Sequence, residues 1–126
     1  MDLKDLFQSA DWKQEKHVPV IDIVEQGEIV KIAITVGKEI PHPNTTEHHI
    51  CWIEVYFVAE GEKIPSQLGR FEFTSHGESI GAPNAGSVHT SPEVVVSFKA
   101  EKPGTILASS YCNIHGLWQS SVVLSI

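Results

Sequence analysis

The sequence has few of the residues and segments that several common classes of protein require. It has only two cysteines, Cys51 and Cys112, and a single methionine, Met1. One disulfide is possible by number alone, but in a cytosolic chain metal ligands or free thiols are the more frequent use of cysteine. No stretch approaches the roughly 20 apolar residues that span a membrane, and no run of Lys or Arg offers the positive surface that nucleic acids require. We therefore expect neither a membrane segment nor a nucleic-acid partner.

Length and composition favour one ordinary folded domain. The chain has 126 residues, of which 41% are hydrophobic, and a formal net charge of −7. These values are typical of a single globular domain, which we place at residues 1–126. The first 16 residues lack the apolar run and the small-residue cleavage site of a signal peptide. We therefore predict a cytoplasmic location.

Apolar and polar residues alternate along most of the chain, which is the pattern of half-buried β-strands. The clearest alternation covers residues 30–36, and turn signals rich in Gly and Pro separate the candidate strands. The predicted strands lie near residues 18–24, 30–36, 50–58, 71–73, 94–98, 106–111 and 122–126. About seven short strands at this spacing predict an all-β, antiparallel β-sandwich. We expect a short helix or an arm before the first strand and a long loop at residues 75–92.

The histidines are numerous, seven in all, and one of them follows a cysteine in the segment YCNIHG. Cys112 and His115 are three residues apart just after a predicted strand, so both side chains can reach one metal ion. A thiolate and an imidazole suit iron, copper or zinc. The alternative is a buried cysteine beside an unrelated surface histidine, and this motif alone does not decide between them.

Three further histidines gain significance only in combination. His42 lies between Pro41 and Pro43, which stiffen its loop, and His48 follows six residues later. His17 alone would be interpreted as structural. Loops at one end of a sandwich lie close together, so these residues can join Cys112 and His115. Four histidines and a cysteine exceed the four ligands of a tetrahedral zinc site, and five ligands suggest a square-pyramidal centre with one open position, which favours redox iron.

Two other metal proteins fit part of this pattern. A blue-copper electron carrier uses a β-sandwich with two histidines and a cysteine, but it normally has a weak axial methionine downstream. Here the one methionine is Met1, and the additional histidines would have no role. A zinc-stapled domain would explain Cys112 and His115 but not the neighbouring pair Glu15 and Lys16.

The chain resembles the one-iron superoxide reductases, also called neelaredoxins, which share the iron-binding domain of the desulfoferrodoxins. The resemblance runs through DWKQEKHVPVI, VGKEIPHPNTTEHHI, FTSHGES and SYCNIHGLW, and so covers nearly the whole chain. It implies an immunoglobulin-like β-sandwich with an exposed iron. It also implies an axial thiolate and four equatorial imidazoles, contributed by Cys112, His17, His42, His48 and His115.

The resemblance further implies an activity and its partners. Superoxide is reduced to hydrogen peroxide, without release of dioxygen, at one non-haem iron per subunit that alternates between Fe²⁺ and Fe³⁺. Glu15 is implied as the sixth ligand of the ferric state, and Lys16 as the residue that attracts superoxide. Rubredoxin is the implied electron donor, and a homotetramer is the implied assembly. The second iron domain of some relatives has no counterpart in this sequence.

The remaining candidates are expected to be structural. Cys51 falls on the predicted inward row of its strand, so we predict a small core residue. Because the protein is acidic, attraction of an anion must come from a local positive field, to which Lys13 and Lys38 are expected to contribute. His49 adjoins an implied ligand but is not one in the pattern, and His76 and His89, which also have no implied ligand role, are interpreted as loop residues.

Overall fold

A computed structural model describes all 126 residues and contains seven β-strands in two antiparallel sheets. The strands are β1 (Pro19–Glu25), β2 (Val30–Val36), β3 (Ile50–Ala59), β4 (Ser66–Glu72), β5 (Glu93–Phe98), β6 (Gly104–Cys112) and β7 (Gly116–Leu124). One sheet has the order β1-β2-β5 and the other β4-β3-β6-β7. This confirms the predicted all-β sandwich, and a division into three and four strands is that of the smaller immunoglobulin-like domains. No helix has the length and apolar character needed to cross a membrane.

The core lies between the two sheets and is built from the inward rows of their strands. In β2 the alternation is complete, with Val30, Ile32, Ile34 and Val36 buried and the residues between them only partly covered. Each such side chain contributes about 1.5 to 3 kcal/mol when it is fully buried. The alternating sequence of β2 therefore predicts both its structure and its buried face.

Strand β3 departs from the predicted alternation at its first residues. Ile50 and Ile53 are both buried, whereas Cys51 is only half-buried and lies outside the core. The cause is an irregularity in the pairing with β6 between Ile50 and Trp52, where an inserted residue shifts the alternation by one position. The prediction that Cys51 is a core residue is therefore wrong.

Strand β7 begins six residues earlier than predicted. It starts at Gly116 because β7 pairs with β6 over the whole length of that strand, including its own polar segment Gln119–Ser121. Cys112 is the partner of Gly116 at the end of this ladder. Only residues 113–115 remain as the connection, so Cys112 and His115 lie in one tight hairpin.

The first residues form the expected short helix and arm. A 3₁₀-helix spans Leu3–Leu6, and Gln8 then forms a parallel bridge with Trp118 on β7. The Gln8 N–H donates to the Leu117 carbonyl (3.0 Å), and the Gln119 N–H donates to the Gln8 carbonyl (2.9 Å). These bonds fix the arm beside the Cys112–Gly116 hairpin and lead the chain to His17.

The segment 75–92 is a long loop, as predicted, with internal hydrogen bonds. His76 and His89 form an isolated bridge, the Gly77 N–H donates to the Val88 carbonyl (3.0 Å), and the Thr90 N–H donates to the Ser75 carbonyl (2.7 Å). The loop folds back against the connection between β2 and β3, which carries His42 and His48.

Candidate metal centre

Three loops at one end of the sandwich bring imidazole and thiolate groups together. They are the turn before β1, the connection between β2 and β3, and the hairpin between β6 and β7. Four potential ligand atoms lie within 4.8 Å of one another. They belong to His17, His48, Cys112 and His115.

One ring nitrogen of each histidine in this group faces another histidine of the group. His17 Nε2 is 3.1 Å from His115 Nδ1, and His115 Nδ1 is 3.3 Å from His48 Nε2. Cys112 Sγ is 3.9 Å from the same His115 nitrogen. Neutral imidazole and thiolate are established metal ligands. A cation placed among these atoms would satisfy all of them, so the group is a candidate metal-binding site.

The β6–β7 hairpin is what folds His115 back over Cys112. Gly116 closes the three-residue connection with φ +82°, a left-handed conformation that glycine adopts without the steric cost borne by other residues. The His115 N–H donates to Cys112 Sγ at 3.3 Å. Cys112 is fully buried at 0% exposure and His115 is exposed, so the group has one side in the core and one side near solvent.

His42 is the fifth predicted ligand and lies beside the other four. Its ring centroid is 4.7 Å from that of His17 and 4.8 Å from that of His48. His42 Nδ1 is 2.6 Å from the Pro43 carbonyl, whereas His42 Nε2 is buried and has no hydrogen-bond partner. Burial lowers the pKa of His42 to about 4, so the ring is neutral near pH 7. A buried acceptor without a partner is costly, and a bound metal ion would remove that cost.

The loop that carries His42 packs against a glycine that cannot be replaced without strain. Gly37 has φ +83°, and a Cβ atom there would lie 2.5 Å from the His42 backbone nitrogen. Both the conformation and the close approach require the absence of a side chain. The turn after β2 therefore sets the position of His42.

His17 is held on one face and at its outer nitrogen. Glu15 Oε1 is 2.6 Å from His17 Nδ1 and also accepts a bond from the His17 N–H (3.1 Å). The ring of Trp118 stacks on the imidazole, with centroids 5.0 Å apart and planes inclined by 14°. The bond from His17 lowers the pKa of Glu15, and the carboxylate in turn leaves Nε2 of His17 free to face the other donor atoms of the group. Glu15 thus lies outside the group of four donor atoms.

Of the three lysines expected near the site, Lys16 acts most directly on it. Burial lowers the pKa values of His17, His42 and His48, and the charge of Lys16 contributes in the same direction. Lys38 instead forms an ion pair with Asp22 (2.6 Å), which offsets its charge. Lys13 and Lys38 also lie near the ring of Trp12, at 5.7 and 5.6 Å from its centroid.

The histidines expected to be structural have protein partners of their own. Both ring nitrogens of His76 are bonded, Nδ1 to Asn44 Oδ1 (3.1 Å) and Nε2 to the Phe73 carbonyl (2.7 Å). The ring of His49 stacks on that of His76 with centroids 3.5 Å apart, and His49 Nδ1 is 2.9 Å from the Thr45 carbonyl. These contacts agree with the structural role expected for His76, and they give His49 partners outside the candidate metal site.

Sequence reasoning missed the polar side chains that join the loops. Asn113 bonds to the backbone of Glu47 and His49, and Asn84 bonds to Thr46 and to the Glu47 carboxylate. The stacking of Trp118 on His17 was also missed. The position of Asn113 inside the Cys112–His115 segment was the one available signal.

Comparison with known proteins agrees with this geometry. The family model described as Desulfoferrodoxin matches residues 9–121. The superoxide reductase of Pyrococcus furiosus is 55% identical over 97% of this chain and 98% of its own length, and the neelaredoxin of Megalodesulfovibrio gigas is 50% identical over 100% and 99%. The solved structure of superoxide reductase (neelaredoxin) from Archaeoglobus fulgidus in the reduced form superposes with a TM-score of 0.93, at 57% identity, over 96% of this chain and 99% of that one. The chain belongs to the desulfoferrodoxin family.

Proposed function

We propose that this protein is a superoxide reductase that holds one non-haem iron per subunit. The observation that carries the proposal is the convergence of three imidazole nitrogens and one thiolate sulfur within 4.8 Å, with a fourth imidazole alongside. The proposed ligands are His17, His42, His48, His115 and Cys112. Bound iron would supply the one electron that, together with two protons, converts superoxide to hydrogen peroxide.

The donor set supports iron over structural zinc. A structural zinc site is complete with four ligands, whereas here the buried Nε2 of His42 would be left without a partner. Five nitrogen and sulfur ligands would leave room for one small molecule on a bound iron. The exposure of His115 supports an open position on the solvent side, where superoxide can arrive.

Cys112 is buried on the opposite side of the group, within the core. The His115 N–H points at its sulfur, and a hydrogen bond to a sulfur ligand stabilises the thiolate form and tunes the potential of a bound metal. The hairpin thus provides a ligand and the group that tunes it within one short segment.

Lys16 is the proposed residue for capture of the anionic substrate. The protein carries a net charge of −7, so its overall field repels superoxide and a local positive charge must compensate. The effect of Lys16 on three proposed ligands supports its placement at the rim of the centre.

Glu15 is proposed to have two positions. In this structure its carboxylate accepts from His17 Nδ1, and as the sixth ligand of ferric iron it would have to leave that ring. Glu15→Ala should therefore shift the ferric spectrum and its pH dependence, with little change in the rate of reaction of the ferrous protein with superoxide. A large loss of that rate would place Glu15 in an earlier step.

Other parts of the proposal rest on the family resemblance. We propose rubredoxin or a similar small redox protein as the electron donor, a homotetrameric assembly and a cytoplasmic location. A blue-copper carrier is not favoured, because Met1 is fully exposed and three histidines, instead of two, lie within 4.8 Å of the cysteine sulfur, with His42 beside them.

Metal analysis with a visible spectrum tests the proposal directly. We expect one iron per chain and a ferric thiolate charge-transfer band. Cys112→Ser should retain the fold but lose the band and most of the activity, whereas the matched control Cys51→Ser should retain both. Stoichiometric copper or zinc in place of iron, or an unchanged band in Cys112→Ser, would contradict the assignment.

A further inference from the structure

The side chain of Asn113 connects the hairpin ligands to the loop of His48. It lies between Cys112 and His115 in sequence, and its amide reaches across to residues 47–49. Asn113 Nδ2 donates to the Glu47 carbonyl (2.9 Å), and Asn113 Oδ1 accepts from the His49 N–H (2.9 Å). The Asn113 N–H adds a longer bond to the His49 carbonyl (3.2 Å).

These two side-chain bonds fix the backbone on both sides of His48. The Glu47 carbonyl belongs to the peptide group before His48, and the His49 N–H belongs to the peptide group after it. The remaining polar groups of those two peptides bond to Thr45, whose Oγ1 accepts from the His48 N–H (3.1 Å) and whose N–H donates to the His48 carbonyl (2.9 Å). Both peptide planes that set the direction of the His48 side chain are therefore held.

His48 depends on this backbone arrangement more than His17 and His42 do. The outer nitrogen of His17 is oriented by Glu15, and that of His42 by the Pro43 carbonyl. The outer nitrogen of His48 has no such partner, and the one hydrogen-bond contact of its ring is that of Nε2 with His115. Ligand rings without an outer hydrogen bond lose orientation unless the backbone supplies it.

We propose that Asn113 is a positioning residue that holds His48 in place at the metal centre, an inference that rests on the proposed function. Bonding to both the Glu47 carbonyl and the His49 N–H requires one donor and one acceptor in a single short side chain, which asparagine provides. Aspartate has the same shape but no donor, so Asn113→Asp loses the bond to Glu47 and retains the bond from His49.

The test measures Co²⁺ binding to the full-length metal-free protein, together with the absorption spectrum of the Co²⁺ form. Asn113→Ala should weaken Co²⁺ binding about tenfold to a hundredfold, the usual effect of removing a group that orients a ligand, and should alter the Co²⁺ spectrum. Asn113→Asp should lie between Asn113→Ala and the unmodified protein. It also serves as the test if Asn113→Ala does not fold, as judged by circular dichroism.

Asn84→Gly is the matched control. Asn84 bonds to the same loop, through Thr46 and the Glu47 carboxylate, but not to the peptides that flank His48, and glycine preserves its φ of +65°. Its Co²⁺ affinity and spectrum should match those of the unmodified protein. If Asn84→Gly weakens Co²⁺ binding as much as Asn113→Ala does, Asn113 has no specific role. The same conclusion follows if Asn113→Asp and Asn113→Ala both bind Co²⁺ like the unmodified protein. Failure of the unmodified protein to bind Co²⁺ or iron would instead overturn the proposed function.

Discussion

Two groups of histidines in this protein have opposite environments. Of the metal-centre histidines, which are His17, His42, His48 and His115, three turn ring nitrogens toward one another, and His42 has a buried ring nitrogen without a partner. The loop histidines, His49 and His76, stack on each other and bond to carbonyl or amide oxygens. His48 and His49 are adjacent in sequence yet belong to different groups. What a ring nitrogen faces, and not its position in a motif, therefore separates a candidate ligand from a structural residue.

The two groups also contribute differently to the stability of the fold. The loop histidines satisfy backbone groups and tie the segment 75–92 to the connection between β2 and β3. The metal-centre histidines leave a buried nitrogen of His42 without a partner, which costs stability in the metal-free protein. Proteins typically accept such local costs at functional sites.

The largest difference in metal affinity should appear when substitutions of the adjacent residues His48 and His49 are compared. His48→Ala removes a proposed ligand, and we expect Co²⁺ or Fe²⁺ affinity to fall by at least about a hundredfold, more than the loss on removing a supporting group. His49→Ala removes a stacked ring and one hydrogen bond, so affinity should change by no more than a few-fold. Metal titration of both metal-free proteins measures the two effects. Equal losses would mean that the two groups are not functionally distinct.

Lys16 should affect only the metal-centre group, through the capture of superoxide. A pair of unit charges about 4 Å apart is worth up to roughly 4 kcal/mol at an effective dielectric near 20, and exposure reduces this value. We therefore expect Lys16→Ala to lower the second-order rate about tenfold to a hundredfold, Lys16→Arg to retain most of it and Lys16→Glu to be slowest.

Ionic strength provides an independent check on the role of Lys16. Salt screens an exposed attraction, so the rate of the unmodified protein should fall as salt rises, and the fall should be weaker in Lys16→Ala. Lys38→Ala is the control, since Lys38 is already paired with Asp22 and its removal should have a smaller effect. Stopped-flow or pulse-radiolysis rates across a salt series would measure all variants. Equal rates for Lys16→Ala and the unmodified protein would remove Lys16 from substrate capture.

The loop histidines should respond to substitution in stability instead of metal binding. His76 is 3% exposed. The substitution His76→Ala removes the ring nitrogens that contact the Phe73 carbonyl and the Asn44 side chain. We expect the free energy of unfolding to fall by about 1 to 2 kcal/mol, the usual cost of unsatisfied buried groups, with metal affinity changed only a few-fold. Urea unfolding of the metal-free protein and Co²⁺ titration give the two numbers. A loss of metal binding without a loss of stability would reverse the assignment.

Much of the fold could be predicted because its strands follow a local pattern. The alternation in β2 specifies the buried face without knowledge of any partner strand. The register of β3 could not be predicted in this way, since the irregularity that displaces Cys51 arises in pairing with β6, more than 50 residues away in sequence. The early start of β7 was missed because its polar residues, such as Gln119, hide the strand pattern.

The candidate site shows the same division between local and long-range information. Cys112 and His115 could be paired from their spacing, because a tight hairpin brings residues three apart together. The bond between Asn113 and the Glu47 carbonyl joins residues 66 positions apart, and no local pattern indicates it. The position of Glu15 on His17 also depends on how the turn before β1 packs. Spacing and resemblance thus identified candidate ligands, whereas the residues that orient them required the structure.

The smallest expected effect is a pH dependence of stability in the metal-free protein, and it tests the burial of His42. Burial lowers the pKa of His42 from the ordinary value of 6.5 to about 4. Between those values the unfolded chain binds a proton that the folded chain does not, so stability falls as pH falls through this window and is constant above it.

His42→Gln removes this titration and so isolates the contribution of His42. From about pH 7 to about pH 5.5 the unmodified protein should lose about 1 kcal/mol more stability than His42→Gln, as follows from the displaced pKa. Burial also lowers the pKa values of His17 and His48, which act with the same sign in both proteins and therefore cancel in the comparison. Urea unfolding at each pH gives the two slopes. Identical slopes would show that His42 is not buried as a neutral ring, and its unpaired nitrogen would then provide no argument for a fifth ligand.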